Sequence, residues 1–187
     1  ERRFNPALQF RDRGRFVDFL MEGVPPKPPS FDTIVAKNRG LVPLASAKPR
    51  PFTAKEAAAA VAGGACMVDL RDPATFGEGH APGAINVWID GPQFAERVSW
   101  FVPAGAPVLL VPEGPSDVDR ATPALARVGV DDVQGFLQWG MVGWRSEGLR
   151  VETVPQISVH DLEQWLDEGR EVEVIDVREP AEWMEGH

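Results

Sequence analysis

The sequence predicts an α/β fold, a central and mainly parallel sheet flanked by helices on both faces. Three observations predict it. Short apolar runs at Cys66-Met67-Val68-Asp69-Leu70 and Pro107-Val108-Leu109-Leu110-Val111 have the form of strands buried on both faces of a parallel sheet. Capped helical stretches alternate with those runs, the order that α/β folds show. The twelve-residue pattern of Asp69 to His80 also recurs as Asp176 to His187, identical at seven positions, about 107 positions later. A repeat of that period means two tandem copies of one fold, the second stopping at His187.

The elements follow in order. Phe16, Val17, Phe19 and Leu20 lie on one side of a helix over about Arg13 to Glu22. That stripe is too narrow to form a core alone, so residues 1–40 are expected to pack on a domain that precedes them. Pro25-Pro26-Lys27-Pro28-Pro29 forces an extended polyproline stretch, and Ser30 caps a short helix that stops near Gly40. Thr53-Ala54-Lys55-Glu56 is a capping box opening an alanine-rich helix that ends at Gly63-Gly64. The strand of Cys66 to Leu70 follows, closed by Asp69 and Arg71, and Pro73 starts a helical turn at its favoured first position. Ala84-Ile85-Asn86-Val87 reads as the next strand and Phe94 to Trp100 as a helix. Pro107 to Val111, the most continuous apolar run, is expected at the centre of the sheet. A helix to Gly129, a strand around Val133 and a helix near Trp139 to Gly148 complete the unit. Pro123 leaves two starts for the helix before Gly129: Ser116, with Pro123 kinking its interior, or Thr122 as cap with Pro123 first.

Composition bounds the function classes. With 43% hydrophobic and 25% charged residues in 187, the chain is ordinary globular protein. A net charge of −9 and a pI near 4.8 argue against nucleic acid or an anionic membrane as partner, because both need a basic face. No run of about eighteen apolar residues is present to span a bilayer. The single Cys excludes an internal disulfide, which fits the cytoplasm. Six Trp without interleaved basic residues read as core and interface rather than a nucleic-acid stacking surface. The chain opens at Glu1-Arg2-Arg3 without an initiator Met, so it reads as an excerpt of a longer protein with sequence missing at both ends.

Asp69-Leu70-Arg71-Asp72, Phe76, Gly79 to Asn86, and the closing Gly140 to Leu149 resemble the rhodanese family in residue type and spacing, over roughly residues 45 to 150. The opening motifs recur from Ile157 to His187, where a second rhodanese-like domain is expected to begin. Asn5-Pro6-Ala7-Leu8, Phe16-Val17, the proline cluster and Ala36 to Gly40 resemble the C-terminal tail of metallo-β-lactamase-fold persulfide dioxygenases and glyoxalase II-like hydrolases. These resemblances imply a division at 1–40 (tail and proline linker), 41–151 (rhodanese-like) and 152–187 (start of a second copy). They imply a bacterial fusion enzyme of sulfide, persulfide or thiol metabolism, with iron or zinc in the upstream domain. The partners expected are intramolecular, the upstream domain and the second copy, and homo-oligomerisation is left open.

The decisive loop follows the central strand. The resemblance implies a Cys there, opening a loop of backbone N–H groups at a helix N-terminus that lowers the thiolate pKa and cradles an anion. Alignment on Leu125 and Gly129 puts Pro112 at that position, which has neither thiol nor N–H. Glu113, Gly114, Pro115, Ser116, Asp117 and the following Val118-Asp119 add a second proline and three carboxylates. The unit is therefore expected to be non-catalytic, either a module of the fusion enzyme or an interaction module not tied to sulfur. Cys66 begins a buried strand with no His or Lys beside it to stabilise a thiolate, and reads as a small core residue. Asp69, Arg71 and His80 read as structural groups of the loop edge, as do Asp176, Arg178 and His187 in the second copy. The three His are too scattered for a metal site.

Overall fold

The computed structural model describes residues 5–22, 24, 27, 31–40, 48–178 and 180–186. The polyproline expectation at Pro25, Pro26, Pro28 and Pro29, the Ser30 cap and His187 lie outside them. A short 3-10 helix at Pro6–Gln9 is followed by α1 (Arg13–Met21) and α2 (Phe31–Asn38). Asp12 caps α1 by accepting the Arg15 N–H at 2.9 Å, and Phe19 stacks on Phe10 with ring centroids 4.8 Å apart. No residue of either helix is fully buried. A single ion pair, Lys37 with Asp131, ties α2 to the turn before the last strand. Burial lowers the Lys37 pKa from its ordinary value.

The α/β unit contains β1 (Arg50–Phe52), α3 (Ala54–Ala62), β2 (Cys66–Asp69), α4 (Pro73–Glu78), β3 (Ile85–Asn86), α5 (Phe94–Phe101), β4 (Val108–Val111), α6 (Pro115–Arg127), β5 (Val133–Leu137) and α7 (Gly140–Ser146). All strand pairs are parallel, in the order β1-β5-β4-β2-β3, so β4 is central as its apolar run requires. Strand alternation assigns the layers. Val68, Val108 and Leu110 face one side and pack with Val98 of α5 and Val118, Ala121 and Leu125 of α6. Met67, Leu109 and Val111 face the other, against Ala57 of α3 and Met141 and Trp144 of α7. Each fully buried Val or Leu contributes about 1.5–3 kcal/mol.

Local chemistry sets the element ends. The Thr53–Glu56 capping box forms, and the Thr53 backbone N–H, followed by its hydroxyl, donates to the Glu56 carboxylate and holds it below the ordinary carboxylate range. Asp72 caps α4 through the N–H groups of Ala74 and Thr75, both at 3.0 Å.

Three features were not read from the sequence. β1 is three residues long and contains Pro51, so it has no periodicity to detect. As an edge strand it pairs on one side only, where a proline is tolerated. α6 begins at Pro115, one residue before the Ser116 start and not at Thr122; Pro115 takes the first helical position and makes no demand for an N–H partner. Pro123 then sits inside α6 with no N–H for the carbonyl of Asp119, and Thr122 turns its hydroxyl back to Val118 O at 2.7 Å. Beyond the unit, α8 (Val159–Asp167) and α9 (Pro180–Met184) form, while residues 171–177 form no strand.

Candidate functional site

The loop after β4 lies at the carboxyl end of the central strand, where open α/β sheets place their ligands. Pro112 is buried there. Of the loop N–H donors that survive the prolines, those of Glu113 and Gly114 are both given to Asp117 Oδ2, at 3.1 and 3.0 Å. Asp117 is the third residue of α6 and its own N–H donates to Gly114 O at 3.1 Å, so the loop closes on itself. The carboxylate thus occupies two of the backbone donors at this helix N-terminus. Arg120 is its nearest cation, with Nη1 3.6 Å from Asp117 Oδ1. That guanidinium is pinned mainly to Asp90, which raises the Arg120 pKa.

A cleft of about 510 Å³ opens beside the loop, between Pro112 to Pro115, the end of β5 and α7. Arg71 and Arg145 line it, and Trp139 and Val142 stand at its rim, 72% and 78% exposed. Arg71 is itself held from behind. Its Nε and Nη2 bond both oxygens of Asp69, the shortest contact being 2.6 Å, and Nη2 also reaches Gly79 O at 3.0 Å. Asn86 ties this clamp to the next strand by donating to Asp69 O and Arg71 O, at 3.1 and 2.8 Å. Asp69 is fully buried, so the pair stands only because nearly every polar atom finds a partner.

His80 serves the backbone beside this clamp. Its Nδ1 lies 3.0 Å from Phe76 O, and since a carbonyl only accepts, Nδ1 carries the hydrogen. The ring stacks on Phe76 at 3.8 Å, and the His80 backbone pairs with Glu152 through two 2.9 Å bonds. A Cβ at Gly79 would meet the Arg145 guanidinium and fall 2.9 Å from Val151 Cγ1, so a larger residue there would displace Arg145 from the cleft.

Asp69, Arg71, His80 and the Pro112 loop are therefore brought to one end of the sheet. Cys66 is not. It pairs with Val108 at the opposite end of the strands, four residues below Pro112, on the order of 13 Å away at about 3.3 Å per residue. Among the described residues, no three His, Cys, Asp or Glu side chains form a group that could hold a metal ion. Sequence reading missed Trp139, Arg145 and Asn86 as parts of the site. Only the Asn86 position carries a local signal, as the polar residue ending a short apolar strand.

The model of the rhodanese-like domain family matches residues 53–147, half of the chain. No curated protein matches the chain significantly. Among solved structures, the chain is similar to a metallo-β-lactamase from Staphylococcus aureus, with 23% identity and a TM-score of 0.58. That likeness covers 73% of this chain but 38% of the other. A thiosulfate sulfurtransferase from Pseudomonas aeruginosa is 22% identical with a TM-score of 0.46, over 86% of this chain and 35% of its own. The rhodanese-like domain of an Anabaena protein is 24% identical with a TM-score of 0.43, over 48% of this chain and 87% of its own. A parallel five-stranded sheet with helices on both faces, and a family match running from α3 through α7, place this chain in the rhodanese-like domain family.

Proposed function

We propose that residues 41–151 are a non-catalytic rhodanese-like module of a fusion protein. In this reading it joins an upstream metallo-β-lactamase-like domain to a second rhodanese-like copy. The carrying observation is Pro112 at the end of β4, with the Glu113 and Gly114 donors given to Asp117. A sulfurtransferase of this fold class needs a thiolate, free N–H donors and a favourable local field at that place. Here Pro112 takes the place of the thiolate, Asp117 takes two of the donors, and Glu113, Asp117 and Asp119 make the loop acidic.

The fusion reading rests on the motifs of residues 5–40, and likeness in fold to the S. aureus metallo-β-lactamase over 73% of this chain is in keeping with it. Sulfide, persulfide or thiol chemistry would then belong to the upstream domain, with iron or zinc held by residues there. Cytoplasmic location belongs to the same reading; no helix among the described residues is long and apolar enough to cross a membrane.

Thiosulfate:cyanide transfer assayed on this chain, with mass spectrometry for a persulfide on Cys66, tests the proposal. Neither turnover nor a modified Cys66 is expected, and measurable turnover or a stoichiometric persulfide would overturn it. The exposed Trp139 and Val142 beside the cleft favour a second reading, a protein-interaction or regulatory module not tied to sulfur transfer. Under that reading Trp139→Ala abolishes partner binding and leaves sulfur metabolism of the host untouched.

A further inference from the structure

The cleft beside the Pro112 loop sets two guanidinium groups against an apolar wall, and only one of the two cations is neutralised. Arg71 is 8% exposed. Its Nε and Nη2 are taken by Asp69 and Gly79 O, whereas Nη1 makes no hydrogen bond among the described residues. Nη1 is not sealed in, because Asp131 Oδ1 is the one fully buried side-chain polar atom without a partner among those residues. The free edge of a nearly buried guanidinium therefore opens on the cleft that Arg71 lines. Arg145 is its neighbour there. Arg145 Nη2 reaches Glu78 O at 3.4 Å and Arg71 Nη2 reaches Gly79 O at 3.0 Å, so the two cations hang from successive carbonyls of one turn. Asp69 balances Arg71, but Arg145 makes no ion pair among the described residues. Of the described residues lining the cleft, Glu113 is the one carboxylate, and it is exposed. Most of the remaining wall is apolar, with Phe136 and Met141 set into it and Trp139 and Val142 at the rim.

We propose that this cleft binds a small amphipathic monocarboxylate, its carboxylate on Arg71 Nη1 and the Arg145 guanidinium and its aryl or branched alkyl body against Phe136, Met141 and Trp139. A volume of about 510 Å³, a mostly apolar lining and a few convergent polar groups are the features of a small-molecule site at the carboxyl edge of an α/β sheet. One unbalanced cation calls for one negative charge. The planar fork of a guanidinium matches the two oxygens of a carboxylate. An inorganic dianion such as thiosulfate brings no apolar surface and leaves one charge over beside Glu113. The proposal rests on the non-catalytic reading of the unit, in which the cleft is not held for sulfur transfer. The two fail separately, since sulfur-transfer turnover would end that reading and absent carboxylate binding would end this one alone.

Calorimetric titration of the full chain with 4-phenylbutyrate, with its amide and with acetate tests both halves of the site. 4-Phenylbutyrate should bind at one site per chain, and the amide about tenfold or more weaker, because it cannot form the charge-assisted bonds. Acetate, which has no apolar body, should show no measurable binding. Arg145→Gln should weaken 4-phenylbutyrate by about tenfold or more without moving the unfolding midpoint, since the Arg145 side chain is exposed and makes one long bond. Backbone NMR shifts on titration should move at residues 112–115 and 139–145 and stay fixed at Cys66. No binding of 4-phenylbutyrate at millimolar concentration, equal affinity for acid and amide, or unchanged binding by Arg145→Gln would overturn the proposal. Displacement of 4-phenylbutyrate by equimolar thiosulfate would overturn it by naming an inorganic oxyanion as the occupant. Tighter binding of a leucine-terminated tripeptide than of 4-phenylbutyrate would do so by naming a polypeptide end.

Discussion

Asp117 accepts the backbone N–H of Gly114 at 3.0 Å, across the first turn of the helix on which it sits. That bond is a helix cap and, in the proposed reading, puts the chain's own carboxylate where an anion would otherwise be held. Replacing Pro112 by Cys restores a sulfur atom and leaves the cap in place. Pro112→Cys alone should therefore show no thiosulfate:cyanide transfer. Pro112→Cys combined with Asp117→Ala frees two donors and removes one negative charge, and should show more turnover than the single variant. Asp117→Ala should also cost about 1 kcal/mol of stability, the ordinary loss for a cap, read from denaturant unfolding. Turnover from the single variant equal to that of the double would show that the Asp117 bond is not the obstacle.

One substitution made in both copies separates burial from geometry. Arg71→Ala leaves Asp69 buried without its guanidinium, and should lower stability by about 3–5 kcal/mol. Arg178→Ala breaks a clamp of nearly the same geometry that lies open to solvent, and should leave the unfolding midpoint where it is. Equal effects from the two variants would mean that the clamp's worth does not come from its surroundings.

Much of this fold was legible because the relevant physics is local. The apolar runs placed β2 and β4, capping residues placed α3 and α4, and the continuous run of Val108 to Val111 placed the sheet centre. β1 was not legible, since three residues held by β5 leave no pattern of their own. The site divides the same way. Pro112 could be read from its position after the strand, but the bonding of Glu113 and Gly114 to Asp117 depends on where α6 begins, which two competing prolines left open. Arg145 and Trp139 enter the cleft only through packing of α7 against the sheet, which no local pattern encodes.

Gly135 marks the close approach that holds β1. A Cβ at that position would fall 2.2 Å from Arg50 O and 2.5 Å from the Phe52 ring. Backbone cannot yield by that much without losing the pairing of Arg50, Pro51 and Phe52 with β5. Gly135→Ala should therefore detach β1 at a cost of about 1–3 kcal/mol, the range for overpacked sites. Hydrogen exchange should show faster loss at Gln138 N–H, which donates to Phe52 O at 2.9 Å, while the amides between β2 and β4 keep their protection.

The cap of α8 should make that helix sensitive to acid. Asp161 accepts the Ser158 hydroxyl at 2.6 Å and the Ser158 N–H at 2.8 Å, and these bonds, the hydroxyl first, hold its carboxyl below the ordinary aspartate value. A carboxyl with a lowered pKa in the folded state binds its proton more readily when unfolded, so its contribution is complete above the unfolded value of about 3.9. Below that pH the contribution shrinks, and it is gone once the pH has fallen through the folded value. Amide exchange in the first turn of α8 should accordingly quicken as the pH drops from about 5 towards 2, after correction for the intrinsic pH dependence of exchange. Asp161→Asn keeps an acceptor oxygen but cannot titrate, and should flatten that response. An unchanged acid response in Asp161→Asn would assign the sensitivity to another carboxylate.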